Sequence, residues 1–229
     1  MNLGALFSGG KDSTMAAYWA VKNGHKIVCL ITLISESSES YMFHVPNIEW
    51  TKYQAEAMNI PQIMKKTKGE KEEELKDLKN ALIQAIKKYK IEGITAGALA
   101  SNYQKKRIEK ICHELNIECI APYWNYGDEK YMHEIVENNF EVIITSVSAE
   151  GLTPDILGKK IDHDLIEKLK KIRQKNRINI NGEGGEYETF VLDCPLFRKR
   201  LVLRDFFIQK DSNSASLVIQ KLETKPQNI

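Results

Sequence analysis

Two hydrophobic periods alternate along the first half of the chain. LGALF at 3–7 and KIVCLITLI at 26–34 are short, continuous apolar runs, the pattern of strands buried on both faces. Between them, DSTMAAYWAVKNG sets Met15, Ala16, Trp19 and Ala20 on one helical face and stops at Gly24. After the polar SESSES, residues 48–58 read as a helix that ends before Pro61. QIMKKT reads as a third strand. From Glu70 to Tyr89, Leu75, Leu78, Leu82, Ala85 and Ile86 recur at steps of three and four, which predicts an amphipathic helix. IEGITAGAL supplies a fourth strand, 101–115 a helix burying Ile108, Ile111, Cys112 and Leu115, and IECIAPY a fifth strand. Short βα units in this order predict an open, mostly parallel sheet with helices on both faces.

The pattern changes after Pro122. A short helix near 130–138, the strand-like FEVIITSVSA, the loop EGLTPDILG and a charged helix from Asp162 to Gln174 follow. Then come the glycine- and glutamate-rich NGEGGEYETFV and two strand-like runs, LVLRDFF and SLVIQKLE. The expected division is 1–124 and 125–229, the second part a smaller α+β domain without a copy of the first. The tail TKPQNI is expected to fray.

Composition narrows the classes. The chain has 229 residues, 42% hydrophobic and 28% charged, enough for a core without disulfide or metal staples. Its 33 basic and 31 acidic residues leave a net charge of +2, which excludes neither RNA nor an acidic protein partner but does not point to a strongly basic nucleic-acid binder, so a nucleic-acid partner is not expected. The four cysteines form no CxxC pair, and Cys29 falls in an apolar run. The N-terminus has no secretory apolar stretch and no run reaches transmembrane length, so a cytoplasmic protein with no membrane partner is expected.

SGGKDS at 8–13 is the sharpest chemical signal. It lies between the first strand and the first helix, where a parallel sheet opens its ligand crevice. Gly9 and Gly10 permit a tight turn with backbone close to a ligand. N–H groups at the helix start can meet phosphate oxygens, and Ser8 and Ser13 add hydroxyls. Lys11 adds a mobile positive charge on what is expected to be a solvent-facing loop. Asp12 beside phosphate would hold a cation, orient Lys11 or cap the helix. The run is not GxxxxGK: from Gly4 the lysine would fall at position 10 and it stands at 11.

Other segments carry weaker signals. YMFHVPN at 41–47 could close over a nucleotide or pack on its own aromatics, with His44 an acid, a base or a contact. In TAGALASNYQKKR at 95–107, Gly97 and Ala98 leave room for a flat ring, Tyr103, Gln104 and Arg107 lie on the next helix, and Lys105 and Lys106 are expected in solvent. Glu150, in SAEGLTPDILG, contacts substrate or caps a turn. Glu183, Glu186 and Glu188 are set among three glycines in one loop. They would repel one another without a cation or donor, and such a cluster can bind Mg²⁺, orient an amine or act as a base. RKRLVLR at 198–204 is either a contact for RNA or an acidic protein, or a solvated strand edge.

SGGKDS resembles the PP-loop of the ATP pyrophosphatase superfamily, which cleaves ATP between its α- and β-phosphates. With YMFH at 41–44, GALASNYQKKRIE at 97–109, AEGL at 149–152 and GEGGEYETFVLDCPLF at 182–197, the chain is similar to the diphthine–ammonia ligase family over nearly its whole length. The resemblance implies a Rossmann-like domain of the adenine nucleotide alpha hydrolase type and a family-specific substrate domain. It implies ATP and Mg²⁺ as cofactors, translation elongation factor two bearing diphthine as the protein substrate, and free ammonia as the amine. It implies that Ser8, Gly9, Gly10, Lys11, Asp12 and Ser13 bind phosphates, with Asp12 toward the metal and Gly97 and Ala98 by the adenosine. Lys11, Asp12, Glu183, Glu186 and Glu188 form the implied catalytic set. His44, Tyr103, Arg107, Glu150 and Tyr187 would lie on the acceptor side. The length resembles the compact archaeal form. Two rivals stand beside this: a PP-loop tRNA-modifying ligase and an ATP-binding sensor or scaffold. A homo-oligomer is a default expectation with no residue behind it.

Overall fold

The computed structural model describes residues 1–36, 47–68, 71–97 and 102–227, and for 71, 72 and 102–104 the backbone alone. Five parallel strands form the first sheet: β1 (Asn2–Leu6), β2 (Lys26–Ser35), β3 (Gln62–Thr67), β4 (Gly93–Thr95) and β5 (Glu118–Ile120), in the order 3-2-1-4-5. Helices α1 (Lys11–Lys22), α2 (Thr51–Met58, entered by a 3-10 turn), α3 (Lys71–Tyr89) and α4 (Asn102–Glu114) connect them.

The helices divide between the two faces as the apolar stripes dictate. Leu78, Leu82 and Ala85 of α3 and Ile108, Ile111 and Cys112 of α4 pack on Cys29, Ile31, Ile63 and Ile94. Met15, Ala17 and Ala20 of α1 and Ala55, Ala57 and Met58 of α2 cover the opposite face over Leu3, Ala5 and Leu30. Burial of Cys29 pushes its thiol up to about 12, so it stays protonated and packs as a small apolar side chain.

The second part contributes α5 (Asp128–Glu137), β6 (Glu141–Val147), α6 (His163–Asn176), β7 (Tyr187–Asp193), β8 (Lys199–Lys210) and β9 (Ala215–Pro226). Its antiparallel sheet has the order β7-β6-β9-β8. The Asp162 side chain caps α6 by accepting from the Leu165 N–H at 2.9 Å. The glutamate-rich stretch is only partly the loop expected from its glycines: from Tyr187 onward it is strand. Thr189, Phe190, Val191 and Leu192 are buried there, and that apolar run outweighs the loop-forming residues before it.

The core does not stop at the junction. The cluster under α1 and α2 runs directly into Tyr131, Phe140, Ile143, Phe190, Leu201 and Leu217 of the second part. Asn47 makes a second seam: its amide donates to Leu217 O and its carbonyl accepts from Ile219 N, both at 2.8 Å, occupying backbone groups of β9. Two of the four basic side chains at 198–204 are paired within the chain. Arg200 pairs with Glu141 at 3.2 Å and Arg204 with Glu223 at 2.8 Å. Among the described residues no helix is long and apolar enough to cross a membrane.

Candidate active site

The strand order reverses between β1 and β4, so the crevice at their carboxyl ends is where a ligand of a parallel sheet belongs. The turn at 8–10 fills the β1 side. Gly9 has φ +79°, and a Cβ there would lie 2.3 Å from Gln54 Oε1. Gly10 is the N-cap of α1 and has no side chain to cap with, so the N–H groups of Asp12 and Ser13 at the helix start are left for a ligand. The Ser8 and Ser13 hydroxyls lie 3.2 Å apart at the mouth of the same turn.

The turn is held by the second part of the chain. Val191 N–H donates to Gly9 O at 3.0 Å, so the turn lies on the outer edge of β7 and pairs backbone that would otherwise be exposed. The Lys11 N–H donates to Thr189 Oγ1 at 3.1 Å. Gln54, fully buried, donates to Gly9 O at 2.9 Å and to Val191 O at 2.8 Å, tying α2, the turn and β7 together. Gln54 sits in no recognisable motif, and Thr189, though inside the motif at 182–197, stands beside glutamates whose charge drew the chemical reading.

Lys11 is not solvent-facing. It is 2% exposed, ion-paired with Asp12 Oδ2 at 2.9 Å, and its Nζ lies 5.4 Å from the centre of the Tyr187 ring. The helix start packs so closely on the second part that the lysine stem has nowhere else to go. Asp12 Oδ1 accepts from the Tyr131 hydroxyl at 2.8 Å. Tyr187 is equally enclosed. Its hydroxyl donates to Ile180 O at 2.5 Å, which puts the ring behind Lys11 instead of in the open cleft expected for an acceptor contact.

The three glutamates take different environments. Glu186 accepts from Asn179 N and Nδ2 at 2.8 and 2.9 Å and closes the loop over Gly184. Glu183 faces the pocket; its Oε1 is buried without a hydrogen-bond partner, and burial raises its carboxyl. Glu188 has no hydrogen-bond partner among the described residues. Burial pushes it up to about 7, with the Asp12 charge adding to this and Lys11 opposing it. Thr189 and Tyr187 touch Lys11 directly, whereas Glu188, between them on β7, is linked to the turn by the Lys11 and Asp12 charges.

Gly97, at the end of β4, lies against the start of α1: a Cβ there would be 2.5 Å from Asp12 C and 2.6 Å from Ser13 N. Glu150 is exposed on a turn next to the glutamate loop, where Ser148 N donates to Glu186 O at 2.9 Å. Arg107 is half-buried on α4. Lys105 is not simply solvated: its Nζ lies 4.2 Å from the centre of the Trp124 ring. His44 and Ala98 fall outside the described residues, as does the side chain of Tyr103. A pocket of about 280 Å³ adjoins Asp12, lined by Tyr123, Asn125, Tyr126, Tyr131, Asn181 and Glu183 among others. Only Glu183 of these was expected; the aromatic run APYWNYGDEKY at 121–131 was the available signal.

A glycine turn at the switch point of a parallel sheet, with its lysine held inside and its helix start open, defines a Rossmann-like α/β protein with a candidate phosphate site. Within that class the chain belongs to the diphthamide synthase family. The family's N-terminal domain matches residues 1–119 and its C-terminal domain residues 127–224. Diphthine–ammonia ligases of Bos taurus and Homo sapiens are 36% and 35% identical to it, over 89% of this chain and 83% of theirs. That of Saccharomyces cerevisiae is 29% identical over 85% of this chain and 33% of its own. A solved chain described as a predicted tRNA methyltransferase subunit of Methanocaldococcus jannaschii has TM-score 0.43 and 17% identity, covering 85% of this chain and 98% of that one.

Proposed function

We propose that the protein amidates diphthine on translation elongation factor two, consuming ATP and ammonia and releasing AMP and pyrophosphate. The observation that carries this reading is the joint between the two parts. The phosphate turn is clamped by Thr189 and Val191 on the strand that carries Glu188 and follows directly on the loop of Glu183 and Glu186, so ATP and acceptor would meet in one built site.

The chemistry asks for two things, and the residues offer both. A carboxylate oxygen is a poor leaving group, so it must first attack the α-phosphorus, with pyrophosphate departing. The open N–H groups of Asp12 and Ser13 and the Lys11 ammonium stabilise the charge that grows on the departing group. Ammonia then attacks the acyl carbon, AMP leaves, and a base takes one proton from the nitrogen. Glu188, unpartnered and raised to about 7, suits that task at neutral pH.

Mg²⁺ would neutralise phosphate charge. Among the described residues no group of three His, Cys, Asp or Glu could cage a metal. The donor set suits an ion held mainly by phosphates with Asp12 as its one carboxylate, the usual habit of this ion. The space beside Gly97 is taken by the start of α1 and not left for a flat ring, so the adenosine side is assigned to the backbone of Gly97 and Ala98.

The test is product analysis with diphthine-bearing elongation factor, ATP and ammonia. AMP, pyrophosphate and diphthamide in equal amounts are expected, with no turnover on tRNA. ADP and orthophosphate as products, or ATP bound without turnover, would overturn the reading. Lys11→Met, which keeps volume in the buried site but removes charge, is expected to lower AMP formation by about a hundredfold or more. Lys11→Ala is a poorer probe, because it also opens a cavity beside Asp12.

A further inference from the structure

Diphthine carries a carboxylate and a trimethylammonium group on one carbon. Resting on the function proposed above, we propose that the pocket walled by Tyr123, Tyr126 and Tyr131 receives that trimethylammonium group and thereby aims the carboxylate at the phosphate turn.

A quaternary ammonium cannot donate a hydrogen bond. It is recognised by aromatic faces and by negative charge, and the pocket supplies both. Tyr123 lies 5.2 Å from Tyr126 and 4.9 Å from Tyr131 between ring centres, at interplanar angles of 86° and 57°, so the three rings form a corner and not a stack. Two of the hydroxyls are already spoken for: Tyr123 donates to Glu134 at 3.1 Å and Tyr131 to Asp12 at 2.8 Å. Both rings are almost wholly buried, so they form the fixed back of the corner, and half-buried Tyr126 presents the ring face to a guest. Tyr126 already attracts a cation, the Lys130 Nζ standing 4.3 Å from its ring centre. Lys130 is exposed, so it is free to swing into water when another cation arrives.

The negative charge comes from Glu183. Asp128, also on the wall, is paired with Arg173 at 2.9 Å, whereas Glu183 Oε1 is buried with no hydrogen-bond partner. A fixed cation that brings no protons compensates such an oxygen without a directional bond. Size agrees: about 280 Å³ is ample for a trimethylammonium group and far more than ammonia needs. Position agrees as well. The Tyr131 hydroxyl joins the pocket wall to Asp12, so a carboxylate on the carbon that carries the ammonium would lie toward the turn at 8–13.

Tyr126 is the residue to change, because it is half-buried at the pocket whereas Tyr123 and Tyr131 belong to the core. Amidation would be measured on elongation factor bearing diphthine and on the same factor bearing the unmethylated primary amine. Wild type is expected to prefer the trimethylated acceptor. Tyr126→Leu should raise KM for that acceptor about tenfold and erase the preference, while KM for ATP holds. Tyr126→Phe, which keeps the ring, should retain both. Glycine betaine should compete with the acceptor in wild type and lose potency in Tyr126→Leu. An acceptor KM and preference in Tyr126→Leu within twofold of wild type would overturn the pocket assignment while leaving the reaction intact. Wild type that makes no diphthamide under any of these conditions would overturn the function and this subsite together.

Discussion

Glu188 shows how a single side chain can join stability to chemistry. Its carboxyl is raised from 4.5 to about 7, mainly by burial, with Asp12 reinforcing and Lys11 opposing. The folded chain therefore holds a proton between these two values that the unfolded chain has released. Stability must fall as pH rises through that window, by at most about 3 kcal/mol for the full shift, and part of the side chain still meets water. Glu188→Gln removes the proton exchange. Urea midpoints of wild type should drop between pH 5 and pH 8 more than those of the variant, and equal slopes would deny the raised carboxyl. Activity should run the other way. With free ammonia held constant, amidation should rise through about pH 7 in wild type as the base forms. Glu188→Gln should lack that rise and be slower by at least about a hundredfold. A retained rise would assign the base elsewhere.

At the scale of elements, the turn at 8–13 depends on what packs behind it. Gly97 ends β4 where the first turn of α1 comes within reach of an added Cβ at 2.5 Å, and the atoms it would meet are backbone. Gly97→Ala must push the helix start, and with it the open N–H groups. We expect an ATP KM raised by tenfold or more with the fold retained, measured against a stability loss of about 1–3 kcal/mol. An unchanged ATP KM would separate β4 from the phosphate site. The helices and parallel strands here were legible in the sequence because their burial follows simple periods, such as Leu78, Leu82 and Ala85 in α3. The phosphate turn was legible because glycine, lysine and serine meet after an apolar run. β7 was not, since Gly182, Gly184 and Gly185 precede it and mask its alternation. Nor could spacing show that Lys11 is buried, because its cover comes from Thr189 and Tyr187, nearly the whole chain away. The tyrosine corner is local and showed as an aromatic run, but its pocket was hidden for a similar reason: Glu183, which completes the wall, stands more than fifty residues further along.

Across the whole molecule, the two parts differ in sheet type yet share one interior. Side chains from α1, α2, β6, β7, β8 and β9 join a single apolar cluster, and each large side chain fully buried there stabilises by roughly 1.5–3 kcal/mol. Residues 1–124 alone would expose Met15, Ala17, Ala55 and Met58 to water and strip the turn of Val191, Thr189 and the Tyr131 hydroxyl. A phosphate site whose backbone is tied down by the other half cannot keep its shape without it. The intact chain should therefore unfold in one transition seen alike by far-ultraviolet circular dichroism and tryptophan fluorescence. A fragment of residues 1–124 should show no cooperative melt and no ATP binding at concentrations that saturate the full chain. Two separate transitions in the intact chain, or a fragment that melts cooperatively and binds ATP, would mean that the phosphate turn is self-sufficient. In that case β7 would be a neighbour of the site and not part of its frame.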